Sequence, residues 1–148
     1  MSNAQRFELL LKVAEVREQD AARTLADNRM ALQKSKGKLQ ELLGYRADYA
    51  KDMSNGGGLN YGVQLQDYRL FLDRLNRAIS MQRQQIDQHR DTVEASKQKW
   101  QDAHKQLAIL NKVTDRTRIA DRAAADKRDQ KWIDELAGAA HARTRKPS

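Results

Sequence analysis

LQDYRLFLDRLNRAISMQRQQIDQHRDTVEASKQKWQDAHKQLAIL, residues 65–110, decides the fold. Steps of three and four residues from Leu65 land on Tyr68, Leu72, Leu75, Ile79, Gln82, Ile86, His89, Val93, Ser96, Trp100, Ala103, Leu107 and Leu110, and eleven of the fourteen positions are apolar. No Pro or Gly interrupts the run. A 3.5-residue repeat held this long keeps one narrow apolar seam on one side of a helix, the pattern of a coiled coil. A globular helix needs a wider stripe and drifts out of a strict heptad. Something must therefore cover this seam.

The N-terminal third supplies the cover. Phe7, Leu11, Ala14, Glu18, Ala21, Leu25, Asn28, Leu32, Ser35, Leu39, Leu42, Arg46 and Tyr49 continue one register, with nine of thirteen apolar. Between the two runs lies Ser54-Asn55-Gly56-Gly57-Gly58, where consecutive glycines turn the chain and Asn60 is placed to cap the next helix. A short connection between two heptad runs predicts an antiparallel hairpin. Pairing Tyr49 with Leu65 next to the turn sets Leu42 against Leu72, Leu39 against Leu75, Leu25 against His89, Glu18 against Ser96 and Ala14 against Trp100. At 1.5 Å per residue the hairpin is roughly 65 Å long.

Residues 111–136 stay helix-forming, but their seam weakens to Thr114, Thr117, Asp121 and Ala124, so the second helix overhangs the first. It finishes in Trp132-Ile133 and Leu136, before Gly138, with no intramolecular cover. The expected fold is all-α: a long antiparallel two-helix coiled coil with an overhanging second helix. It forms a single domain over 1–148, with helix 1 about 5–52, a Gly-rich loop 53–60, helix 2 about 61–137 and a frayed basic tail 138–148.

Composition narrows the function. Charged residues make up 32% and aromatics 5%, which favours long helices over a thick core. No stretch approaches the ~20 apolar residues of a membrane span, and no apolar signal core opens the chain. Cysteine is absent, so disulfides and thiolate chemistry are excluded. The net charge of +8 is interleaved, as in Asp126-Lys127-Arg128-Asp129, which reads as a solvated helix face and not as a one-sided phosphate-binding patch. Gly56-Gly57-Gly58 lacks the Lys and Ser/Thr of a nucleotide loop, and His89, His104 and His141 have no metal-ligand spacing. Asn28 reads as a register-fixing polar residue in the seam. The reading is not an enzyme, with no catalytic, metal or cofactor site.

Two apolar groups lie off the seam or beyond it. Tyr45, Phe71 and Ala78 flank Leu42, Tyr49 and Leu75 near the turn, and Trp132, Ile133 and Leu136 sit at the far end. An apolar patch on a charged surface marks a partner site; the alternative is that the first group widens the hairpin core.

Four segments resemble the FliJ family of flagellar type III export proteins: Phe7 and Leu11 with Ala21-Ala22-Arg23 and Leu25; Leu42 with Tyr45-Arg46-Ala47-Asp48-Tyr49; Tyr68-Arg69-Leu70-Phe71-Leu72 with Leu75, Ala78-Ile79 and Gln82; and Asp129-Gln130-Lys131 with Asp134-Glu135-Leu136-Ala137. The resemblance implies a cytoplasmic antiparallel coiled coil, similar to the rotary stalk of F-type ATPases. It would enter the hexameric export ATPase, touch the cytosolic domain of the export gate and assist export chaperones. It implies gate contact through positions matching Leu42, Tyr45, Tyr49, Phe71, Leu75, Ala78 and Gln82. Lys38 and Gln82 depart from the family, which can have Gln and His there. It places ATPase contact at the far end, here Asp129, Gln130, Lys131, Trp132, Ile133, Asp134, Glu135 and Leu136. The expected protein is a monomer that binds no nucleic acid and meets the membrane only through the export apparatus. Its rivals are a nucleic-acid-binding coiled coil, which a steep salt slope in filter binding would support, and a self-associating scaffold, which sedimentation would reveal.

Overall fold

The computed structural model describes residues 2–54 and 63–144. Two helices, α1 (Asn3–Ser54) and α2 (Val63–Thr144), pack against each other as a helical hairpin without strands among the described residues. The glycine turn and the Asn60 cap expected from the sequence lie outside the described residues, as do Arg145, Lys146 and Pro147 of the expected tail.

A capping box starts α1. The Gln5 amide donates to Ser2 Oγ at 3.2 Å, and the Ser2 amide donates back to Gln5 Oε1 at 3.0 Å. Two donors that the first turn leaves without partners are satisfied this way. At the other end of α1, Ser54 Oγ donates to the Lys51 carbonyl at 2.9 Å. Helix α2 runs through Gly138 to Thr144, past the end expected near 137. One glycine costs only about 1 kcal/mol against alanine, and here it is set among Ala137, Ala139, Ala140 and Ala142.

The chain divides into two compact units, one of Gln19–Asp102 and one of Met1–Glu18 with Ala103–Ser148. In the first, Leu25, Leu75, Ile79 and Ile86 are buried with Ser35, Gln82 and Ser96. In the second, Leu11, Ala14 and Thr114 are buried. Every one of these ten residues occupies a seam position read from the heptads. Within each unit the buried residues thus follow the seam, as a 3.5-residue repeat dictates.

The register differs from the expected one. In the Gln19–Asp102 unit, Tyr49 stacks on Tyr68 and Phe71 instead of meeting Leu65, Gln82 bonds Ser35, and Asn28 bonds Ser96. Arg46 Nη1 donates to Asn76 Oδ1 at 3.1 Å. Tyr68 and Gln82 lie three residues further along α2 than apolar matching from the turn places the partners of Tyr49 and Ser35, whereas Phe71 lies six, Asn76 eight and Ser96 ten residues further. Leu65, expected to face Tyr49, is 39% exposed. In the other unit Glu18 faces His104, with Nδ1 to Oε1 at 3.6 Å, and not Ser96.

The physical reason is that apolar pairing is nearly unchanged by a shift of one heptad, whereas polar pairing is not. Gln82 Nε2 donates to both the Ser35 carbonyl (2.9 Å) and Ser35 Oγ (2.7 Å). Asn28 Nδ2 donates to Ser96 Oγ, which itself donates to the Thr92 carbonyl at 2.8 Å. Buried polar groups cost most when unpaired, and the Asn28–Ser96 bond, ten residues along α2 from the expected partner of Asn28, favours the observed pairing over the expected one. In the terminal unit Arg118 is bound by Glu8, with Nε to Oε1 at 2.8 Å, and this hydrogen bond, then the carboxylate charge, raises the guanidinium pKa above its ordinary value. Thr114 Oγ1 is buried with no hydrogen-bond partner among the described residues.

Candidate functional site

The last turns of α1 and the first turns of α2 build an aromatic cluster. The seam brings Tyr49 inward, where its ring lies against Tyr68 with centroids 5.1 Å apart and planes 8° from parallel. Phe71 meets the same ring at 4.5 Å and 40°. Phe71 is one position off the seam, so one face packs on Tyr49 while 43% of the residue stays exposed. Tyr45, one helical turn before Tyr49, is 60% exposed. Leu42 and Ala78 are half-buried, whereas Leu75 and Gln82 are buried within the seam. The seven residues assigned to one contact surface thus occupy different depths. Tyr45 and Phe71 present the surface, Leu42, Tyr49 and Ala78 border it, and Leu75 and Gln82 lie beneath.

Leu70 belongs with the exposed members and was not singled out as a contact residue. It is 52% exposed, next to Phe71 in the chain. Its signal was its apolar character at a position away from the seam.

The second candidate group lies on α2 in the terminal unit. Every described residue from 126 to 144 is exposed, including Asp129, Gln130, Lys131, Asp134 and Glu135. Trp132, Ile133 and Leu136 are 63%, 56% and 52% exposed. Gln130 Nε2 donates to Asp134 Oδ1 at 3.1 Å, an i,i+4 bond along the helix surface. Trp132 and Leu136 are also four apart, which puts both on one face. An exposed indole beside two aliphatic side chains suits a hydrophobic contact with another protein, where aromatic anchors contribute most.

A further apolar stripe escaped the heptad reading. Leu9, Val13 and Val16 follow i, i+4, i+7 spacing on α1 beside the seam and are 54%, 41% and 55% exposed. The spacing was visible in the sequence but lay outside the a and d positions that were followed.

Among the described residues no group of three or more His, Cys, Asp or Glu side chains is arranged to hold a metal ion. No helix among them is long and apolar enough to cross a membrane.

Known proteins match this chain along most of its length. The family described as "Flagellar FliJ protein" matches residues 2–146. A flagellar FliJ protein of Salmonella typhi is 30% identical over 135 residues, covering 88% of this chain and 90% of the relative. A flagellar FliJ protein of Escherichia coli (strain K12) is 31% identical over 132 residues, covering 86% and 88%. With a helical hairpin and matching from residue 2 to 146, this chain belongs to the FliJ family of flagellar proteins.

Proposed function

We propose that this chain is a non-enzymatic coiled-coil component of flagellar protein export. It links the hexameric export ATPase to the cytosolic domain of the export gate and assists export chaperones. It works in the cytoplasm and reaches the cytoplasmic face of the membrane through the export apparatus. The observation that carries the reading is a pair of exposed apolar groups on different units of the hairpin: Tyr45 with Phe71, and Trp132 with Ile133 and Leu136. The first group is assigned to the gate and the second to the ATPase. Two helices held by backbone hydrogen bonds resist stretching, so such a hairpin transmits position or torque between partners.

Tyr45 and Phe71 separate binding from folding. Tyr45→Ala is expected to lower affinity for the gate domain by about tenfold or more, as at an aromatic contact residue, while changing stability by less than about 0.5 kcal/mol. Phe71→Ala is expected to weaken gate binding as well. It also costs about 1 kcal/mol of hairpin stability, because the ring packs on Tyr49. Titration calorimetry with the gate domain and thermal melts of each variant measure both. Unchanged gate affinity in Tyr45→Ala would remove this surface from the proposal.

A further inference from the structure

We propose that one flank of the Gln19–Asp102 unit is a docking groove for an acidic amphipathic helix of a partner protein. Lys36, Arg83 and Arg90 form its charged walls, and Leu39 and Ile86 its apolar floor.

In an antiparallel hairpin, the residues just after the second seam position of each heptad line one flank on both helices. In the terminal unit Glu8 and Arg118 hold this position, and the opposite charges bond. In the Gln19–Asp102 unit it is held by Arg29 and Lys36 on α1 and by Arg83, Arg90 and Lys97 on α2. Signs alternate along the chain but not along this flank. Helix α1 has no carboxylate between Asp27 and Glu41, and α2 has none between Asp73 and Asp87. Asp87 reaches Arg90 at 3.6 Å, whereas Lys36 and Arg83 have no ion-pair partner among the described residues. Flanking positions that support a hairpin carry opposite signs, and like charges there weaken it. Folding therefore does not account for these cations.

Three of them border a groove of about 440 Å³. Its floor is aliphatic, with Ile86 4% exposed and Leu39 half-buried. An aliphatic floor between cationic walls fits a helix that presents aliphatic residues with Glu or Asp beside them. A nucleic-acid strand would leave that floor unused, because no aromatic side chain among the described residues lines the groove to stack a base. The groove is also separate from the aromatic cluster. Tyr45, Phe71 and Ala78 each stand just before the first seam position of a heptad, which is the opposite flank. The inference does not rest on the export reading.

The test is titration of the full chain with a fluorescent helical peptide built of Glu, Ala and Leu, its leucines on one face. At low salt the peptide is expected to bind, to shift the methyl resonances of Leu39 and Ile86, and to weaken as salt is raised. Lys36→Gln and Arg83→Gln are each expected to weaken it by about fivefold or more. Arg122→Gln removes one charge from the other unit and is expected to change it by less than about twofold. Lys36→Glu sets the opposite sign beside Arg83; it is expected to abolish peptide binding while raising the melting temperature, where a residue kept for the fold would lower it. Arg83→Gln decides the matter if Lys36→Glu loses helicity. The proposal is overturned by no binding at low salt, by equal weakening in Arg122→Gln, or by tighter binding of a single-stranded oligonucleotide or a phosphatidylglycerol vesicle than of the peptide.

Discussion

Deleting residues 129–148 is expected to abolish stimulation of the export ATPase, returning turnover to the rate of the ATPase alone. The removed segment includes Trp132, Ile133 and Leu136, each more than half exposed. Exposed apolar side chains on an uncovered helix face add almost nothing to folding, so their removal should leave the hairpin intact. The buried residues of the same unit, Leu11, Ala14 and Thr114, are retained. Gate binding through Tyr45 and Phe71 should also survive, since those residues belong to the other unit. ATP turnover with full-length and truncated protein, alongside helicity by circular dichroism, distinguishes the outcomes. Equal stimulation by both proteins would place the ring contact elsewhere on the chain.

The largest expected loss of stability comes from Ile79→Ala, at about 3 kcal/mol. Ile79 is 2% exposed, the most buried aliphatic residue among the described ones. Its neighbours in the strip, Leu75 and Ile86, are held on continuous helices and can close only partly over the lost carbons. A thin core has few residues to share the cavity. Ile133→Ala removes the same atoms from a residue 56% exposed and is expected to change stability by less than about 0.5 kcal/mol. Chemical denaturation of the two variants makes the comparison. Similar losses for both would mean that the 129–144 segment packs against something and is not free for a partner.

The buried strip was legible in the sequence because a heptad repeat states which face is covered. Leu25, Leu75 and Ile79 needed no structure to be placed there. The pairing between the strips was not legible by apolar matching, because a shift of one heptad returns each seam to the other. What separates the observed pairing from the expected one is the hydrogen bond of Asn28, and the depth and aim of an amide are tertiary facts. Asn28 reads from the sequence as a register residue, and that it bonds Ser96 is a tertiary fact the heptads do not state. Gly138 misled for a related reason: a helix-ending residue acts only when its neighbours do not outweigh it, and four nearby alanines do. Among the candidate contact residues, Tyr45 was legible as exposed because it is off the seam. Phe71 was only half legible, since its stack on Tyr49 follows from the register.

The most direct measurement is capture of both partners at once. The cytosolic gate domain is immobilised, this protein is added, and the export ATPase follows. The expected result is one complex holding all three, with no ATPase retained when this protein is omitted. Tyr45→Ala should weaken the first capture, and deletion of 129–148 should prevent the second while leaving the first unchanged. Displacement of this protein from the gate domain by the ATPase would contradict a link between them, because a single surface would then serve both partners.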